Sequence, residues 1–306
     1  MSVINKQLEI EDKLAQALFA YVEYSKEKQL LTIAQQQEQL LSQFSDDIKV
    51  REKLGDVSGM DAEMAYLSIT QNLQQISLSE VRYLKSLSTL NEALNVTINS
   101  QSIDYQPDLL IWENNLLKST LEKQLTSGLK KQWYEKQLEQ SQRLSEVAKQ
   151  ESKSNPTIGL GIGREGSENS LTLDFSIPLN INNNYSADYR AALQQVSKSE
   201  FELAEQRRIS EKQITQAFEN YIELKKRVIK WRKLTTQRVK GSKQVLTKLW
   251  QSGDIKTADY LFALQQRTDS MISNVELSSQ MQAAWIEWLQ LTSQVESWLK
   301  HLAKNN

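Results

Sequence analysis

The chain has 306 residues, 39% of them hydrophobic and 25% charged, with a formal net charge of −1 and no cysteine. That near-neutral balance gives no electrostatic basis for binding nucleic acid or an anionic membrane surface. Disulfides, thiolate metal sites and a cysteine nucleophile are excluded, and no run approaches the roughly 18–20 apolar residues of a membrane-spanning helix.

The N-terminus, Met1-Ser2-Val3-Ile4-Asn5-Lys6, runs directly into a helical pattern, without the basic and apolar regions of a secretory signal. Ile10, Leu14, Ala17, Tyr21 and Tyr24 then recur at 3–4 spacing, the seam of a left-handed coiled coil. The first punctuation is Gly55-Asp56-Val57-Ser58-Gly59-Met60-Asp61. Gly55 suits a left-handed helix end, Ser58 suits the N-cap of the next helix, and Asp61 stands at capping-box distance from it. That second helix is predicted to bury Tyr66, Ile69, Leu73 and Ile76 and, past Glu80 in the seam slot, Tyr83, Leu87, Leu90 and Leu94. Met60 and Met64 stand one turn apart, and are expected to pack on a neighbouring helix rather than to hold a soft metal ion. Residues 96–106, ahead of Pro107, have no clear pattern; Trp112 and Trp133 flank the next helical stretch.

The segment 155–179 changes period. Pro156 precedes Ile158, Leu160 and Ile162, which alternate with Thr157, Gly159, Gly161 and Gly163. After a polar turn over Arg164–Asn169, Leu171, Leu173, Phe175 and Ile177 alternate with Thr172, Asp174 and Ser176, up to Pro178. Period 2 predicts a β-hairpin with one apolar and one polar face. Alternation of this kind fits both a soluble edge hairpin and a strand pair of a membrane barrel.

No proline follows Pro178. Residues 187–252 are predicted to form one helix of roughly 100 Å at about 1.5 Å per residue, with Ile214, Ala217, Tyr221, Leu224, Val228 and Trp231 in its seam. A second punctuation follows, Gly253-Asp254-Ile255-Lys256-Thr257-Ala258-Asp259, with Thr257 as the expected N-cap. The last helix is expected to run unbroken through Met281, Ala284, Trp288, Leu291, Val295, Trp298 and Leu302, with Trp285 on the same helix. The two glycine punctuations align at a spacing of 198 residues, each between long helical runs, which suggests an ancient duplication of a helical hairpin.

Little in the sequence suggests catalysis. His301 is the only histidine and reads as a solvated residue near the C-terminus. Gly159-x-Gly161-x-Gly163 lies in a strand rather than a phosphate loop, and Gly241-Ser242-Lys243 lacks the upstream glycine of a nucleotide-binding motif. The carboxylate pairs Glu9/Glu11 and Asp46/Asp47 sit in polar faces. No catalytic residue, cofactor or metal site is expected, and the chain reads as a non-enzyme.

Three features together resemble the outer-membrane efflux protein (TolC-like) family: the doubled glycine-to-aspartate tip at Gly55/Asp61 and Gly253/Asp259, the Asn155-Pro156-Thr157-Ile158-Gly159-Leu160-Gly161 entry to a strand, and the Phe175-Ser176-Ile177-Pro178-Leu179-Asn180 exit from one. The strand wording, with Arg164-Glu165-Gly166 in the turn, leans toward the heavy-metal (CzcC- or CusC-like) branch. The resemblance implies a mainly α protomer of long antiparallel coiled-coil helices with one transmembrane-type β-hairpin, divided as 1–154, 155–179 and 180–306. It implies a homotrimer in the outer membrane and periplasm, in contact with outer-membrane lipid, that passively exports metal ions or small toxic compounds. An inner-membrane pump and a periplasmic adaptor deliver them. It assigns Gly55, Asp61, Gly253 and Asp259 to the tips, for adaptor docking or constriction, and Pro156 and Pro178 to the hairpin boundaries. Asp259 then reads either as one carboxylate of a threefold ring or as a helix-start charge, and Ile255 stands where some members carry a basic gate residue. Against the family pattern, the hairpin's duplicate falls before Met1, so the chain is expected to be a C-terminal part of about one and a half repeats. Three such chains would bring half the strands of the family's barrel. The competing expectation is a soluble coiled-coil scaffold with no transport role.

Overall fold

The computed structural model describes residues 2–98, 128–151, 153, 155–177 and 186–305. Their elements, in order, are α1 (Ser2–Leu54), α2 (Gly59–Leu94), α3 (Leu129–Glu151), β1 (Thr157–Glu165), β2 (Glu168–Ser176), α4 (Ser186–Gln251), α5 (Thr257–Leu291) and α6 (Val295–Asn305). The fold is mainly α, with long helices and one antiparallel hairpin. Pro178, Pro107, Trp112 and most of the segment 96–106 lie outside the described residues. The chain forms two compact units, Met1–Leu8 with Lys123–Lys212, and Glu9–Glu122 with Gln213–Asn306.

In the first unit α3 and the start of α4 meet through small side chains. The buried hydroxyls of Ser141 and Ser199 share a hydrogen bond of 2.8 Å, and Gln137 Nε2 donates to Glu202 Oε2 at 3.2 Å. The hairpin pairs Ile158 with Phe175, Leu160 with Leu173 and Ile162 with Leu171. Its turn is tighter than the polar run suggests. Arg164, Glu165, Glu168 and Asn169 all belong to the ladder, leaving Gly166-Ser167 as a two-residue loop. Gly166 has φ +63 while Ser167 stays at negative φ, the II′ geometry whose twist suits a hairpin and which requires glycine first.

The second unit is a bundle of α1, α2, α4, α5 and α6 with aromatic clusters at different levels. At the tip level Phe44, Ile48, Ala62, Ala65, Trp250, Tyr260 and Leu264 form one core. Further along α1, Ala20, Tyr24 and Leu90 form another, with the Tyr24 and Tyr83 rings 5.7 Å apart. Tyr221, Trp285, Trp288 and Trp298 are all buried, with Trp285 packed 4.9 Å from Tyr221 and 5.2 Å from Trp288. Burial pushes the Tyr221 hydroxyl up to about 12.

Two expectations about the helices are corrected. On α2 the expected seam is buried or half-buried at Tyr66, Ile69, Ile76, Tyr83, Leu87 and Leu90, but Leu73 and Leu94 are exposed, while Ala62, Ala65, Ser79 and Ser86 are buried beside it. Small residues let a partner helix approach, so the buried stripe widens toward them. The late helix is also broken. Ser293 has φ +53, Gln294 N–H donates to the Leu289 carbonyl at 2.8 Å, and α6 starts anew at Val295. Trp298 therefore sits on a different helix from Trp285 and Trp288, though it still packs edge-on to Trp285 at 6.4 Å. The buried Glu11 carboxylate of α1 accepts the Val295 N–H at 2.7 Å and the Glu296 N–H at 3.4 Å, capping α6 from a remote part of the chain.

Candidate functional site

The two punctuations form equivalent turns. Gly55 and Gly253 adopt φ +78 and +80. Asp56 N–H donates to the Arg51 carbonyl at 2.9 Å and Asp254 N–H to that of Leu249 at 2.9 Å, closing both helices in the same way. The starts of the next helices differ. Ser58 caps α2: its Oγ accepts the Asp61 N–H at 3.1 Å and donates to Asp61 Oδ2 at 2.8 Å. At the second tip the N-cap is Lys256, without a side-chain bond, and Thr257 is instead turned inward, where its Oγ1 accepts from Trp250 Nε1 at 3.4 Å. Burying Trp250 needs an acceptor for its indole N–H, and that demand takes the threonine away from the cap. Asp61 and Asp259 are both exposed in the first turn of their helices, where a carboxylate is favourable to the helix dipole. Ile255 is half-buried against the tip core.

The structure brings the two tips side by side. Trp250, Tyr260 and Phe44 stack within 5.3 Å of one another. Arg51 lies 4.3 Å over the Trp250 ring, and its two Nη atoms donate to the carbonyls of Trp250 (3.3 Å) and Gln251 (3.1 Å). One arginine thus satisfies the open C-terminal carbonyls of α4 and locks both turns together. Neither Arg51 nor Phe44 was among the expected site residues, although the 3–4 spacing of Gln37, Leu41, Phe44 and Ile48 is present in the sequence. Met60 and Met64 do not pack inward as expected. They are exposed, because Ala62 and Ala65 occupy the inner face of α2.

The hairpin sorts its side chains strictly by face. Ile158, Leu160, Ile162, Leu171, Leu173 and Phe175 share one face and are between 65 and 88% exposed. The other face carries Thr157, Gly159, Gly161 and Gly163 against Ser176, Asp174, Thr172 and Ser170. A Cβ at Gly161 would lie 2.6 Å from Thr172 Oγ1, so the glycine lets that hydroxyl lie over the opposite strand. Pro156 precedes β1 and is exposed. Among the described residues no helix is long and apolar enough to cross a membrane, a statement that does not bear on strands. Nor is any group of three or more His, Cys, Asp or Glu placed to hold a metal ion among them, and His301 is exposed on α6.

No protein-family model matches this sequence, and no curated protein matches it. Solved structures do. A membrane protein from Pseudomonas aeruginosa aligns at a TM-score of 0.79 with 14% identity, over 95% of this chain and 69% of that one. The open-state MtrE outer membrane channel of Neisseria gonorrhoeae aligns at 0.75 with 12% identity, over 95% and 68%. This is the protomer fold of a TolC-type outer-membrane channel. CusC, a transmembrane channel, aligns at 0.68 with 14% identity, over 94% of this chain and 72% of that one. Within the TolC-type fold the likeness therefore does not single out the heavy-metal branch.

Proposed function

We propose that this chain is a subunit of an outer-membrane efflux conduit, a passive duct without catalytic chemistry. The observation that carries the proposal is the hairpin. Six large apolar side chains stand together on one exposed face, backed by a face of Gly, Ser, Thr and Asp. In water, burying that much apolar surface is favourable by roughly 25 cal/mol per Å², and an isolated hairpin is marginal. Lipid on the apolar side and an aqueous lumen on the other satisfy both faces, as in a transmembrane barrel. The TolC-type fold supports the same assignment. We further propose a homotrimer in the outer membrane and periplasm, with 155–179 as the membrane segment and 1–154 and 180–306 as helical segments. Its paired tips, with Gly55, Asp61, Gly253 and Asp259 at their turns, meet an adaptor fed by an inner-membrane pump. The tip lock made by Arg51 favours docking as one rigid surface.

Flotation with phospholipid vesicles tests the proposal. The chain is expected to float with vesicles, and Leu160→Arg is expected to weaken that partition by about 2–4 kcal/mol, the cost of a cation on a lipid-facing strand. A chain that stays monomeric and soluble without detergent and ignores vesicles overturns the conduit and supports the scaffold.

A further inference from the structure

In the second unit a cavity of 840 Å³ lies between α1, α2 and α5. None of its lining residues belongs to the hairpin, and Leu261 borders the tip core. Its apolar wall is Leu30, Ile33, Leu261, Phe262 and Ile272, and its charged groups are the carboxylates of Glu23, Glu27, Asp269 and Glu276 against Lys26 and Arg82. Gln37 Oε1 accepts from Thr268 Oγ1 at 2.8 Å, so these two polar groups satisfy each other.

Glu27 is the unusual member. It is only 4% exposed. Lys26 Nζ sits 3.2 Å from its Oε1, and the same lysine is bonded to Glu23 at 2.6 Å. Its Oε2 accepts no hydrogen bond, and Arg82 Nε stands 3.6 Å from it, within ion-pair range. Arg82 is half exposed and donates through Nη2 to Ser79 Oγ at 3.0 Å. A buried carboxylate with one unfilled acceptor, covered by a mobile type of side chain, calls for a donor that carries positive charge.

We infer that this cavity is a binding site for an amphipathic organic cation, an ammonium head on a compact apolar body. The head displaces the Arg82 guanidinium and fills Glu27 Oε2, and the body lies on Ile33, Leu261 and Phe262. Four carboxylates against two cations favour positive charge there. The cavity volume lies in the range of about 300–1,000 Å³ typical of ligand sites. The inference goes beyond the conduit reading and stands or falls without it, since binding is measured on the isolated chain.

The test is equilibrium binding of benzylammonium and of its neutral isostere, benzyl alcohol, to the purified full chain at pH 7 in one fixed detergent. Benzylammonium is expected to bind at least tenfold more tightly than benzyl alcohol. Glu27→Gln is expected to erase that difference, and Phe262→Ser, at an exposed position, to weaken both ligands; circular dichroism verifies that each variant is folded. Equal binding of the two ligands, saturable binding of neither, or an unchanged preference in Glu27→Gln overturns the inference. So does self-association that Phe262→Ser abolishes without any amine binding, which assigns the groove to a second copy of the chain.

Discussion

Gly55 and Gly253 are the residues on which both tips turn, and their φ values of +78 and +80 lie where an L side chain is strained. No neighbouring atom would obstruct a Cβ at either position, so the cost of substitution there is purely one of backbone conformation. Gly253→Ala is expected to destabilise the fold by about 1–2 kcal/mol, read as a lower denaturation midpoint with an unchanged slope. Glu11 has the opposite character, a side chain held by its surroundings. Burial pushes its carboxyl above the ordinary 4.5, with the Glu296 and Asp12 charges acting the same way and the Val295 and Glu296 N–H groups opposing them. The folded state therefore binds its proton more tightly than the unfolded chain. Its contribution to stability is complete below pH 4.5 and is lost as pH rises through the raised folded value. Glu11→Gln is expected to remove that part of the pH dependence while keeping an acceptor for Val295 N–H. Urea midpoints measured from acid to neutral pH, wild type against variant, check it.

At the scale of the element, α2 shows how a seam is chosen. The expected seam and the buried stripe share Ile69, Ile76, Tyr83 and Leu90, but burial extends to Ala62, Ala65, Ser79 and Ser86 and leaves Leu73, Glu80 and Leu94 exposed. Serine at positions 79 and 86 keeps the helices close, and each hydroxyl is satisfied by its own helix, Ser79 Oγ donating to the Gln75 carbonyl at 3.0 Å and Ser86 Oγ to that of Tyr83 at 2.7 Å. Ser86→Leu adds volume at a buried position on this side and is expected to cost about 1–3 kcal/mol by overpacking. Glu80→Leu, on the exposed side, is expected to change stability by less than about 0.5 kcal/mol. Thermal unfolding of the two variants separates the two sides directly.

For the whole molecule, the two helical hairpins are joined at their tips by one aromatic stack and one arginine. Phe44→Ala removes a buried ring shared by both hairpins and is expected to cost about 3–5 kcal/mol. Hydrogen exchange is the decisive readout. If the tips form one body, amides at Ala62–Tyr66 and Tyr260–Leu264 lose protection together in this variant; loss at only one tip shows that they open independently. The hairpin and the tips then divide the labour proposed for the chain, one meeting lipid and the other meeting protein.

Much of this architecture is local and therefore legible in residue order. The period-2 alternation of 157–177, the 3–4 spacing of Ile214 to Trp231 and the glycines at 55 and 253 all act through neighbours a few residues away, and the structure contains the corresponding hairpin, the buried seam and the left-handed turns. What required the tertiary structure is whatever depends on a distant partner. Thr292-Ser293-Gln294 carries no glycine or proline to signal a stop, and α6 is separate because Glu11 supplies its cap from α1. Thr257 leaves the cap because Trp250 needs its oxygen. On α2 Ser79 and Ser86 are buried while Leu73 and Leu94 are not, because burial there depends on which side the neighbouring helices cover. A helix presents every face equally to its own sequence, and only packing against other helices decides which face loses water.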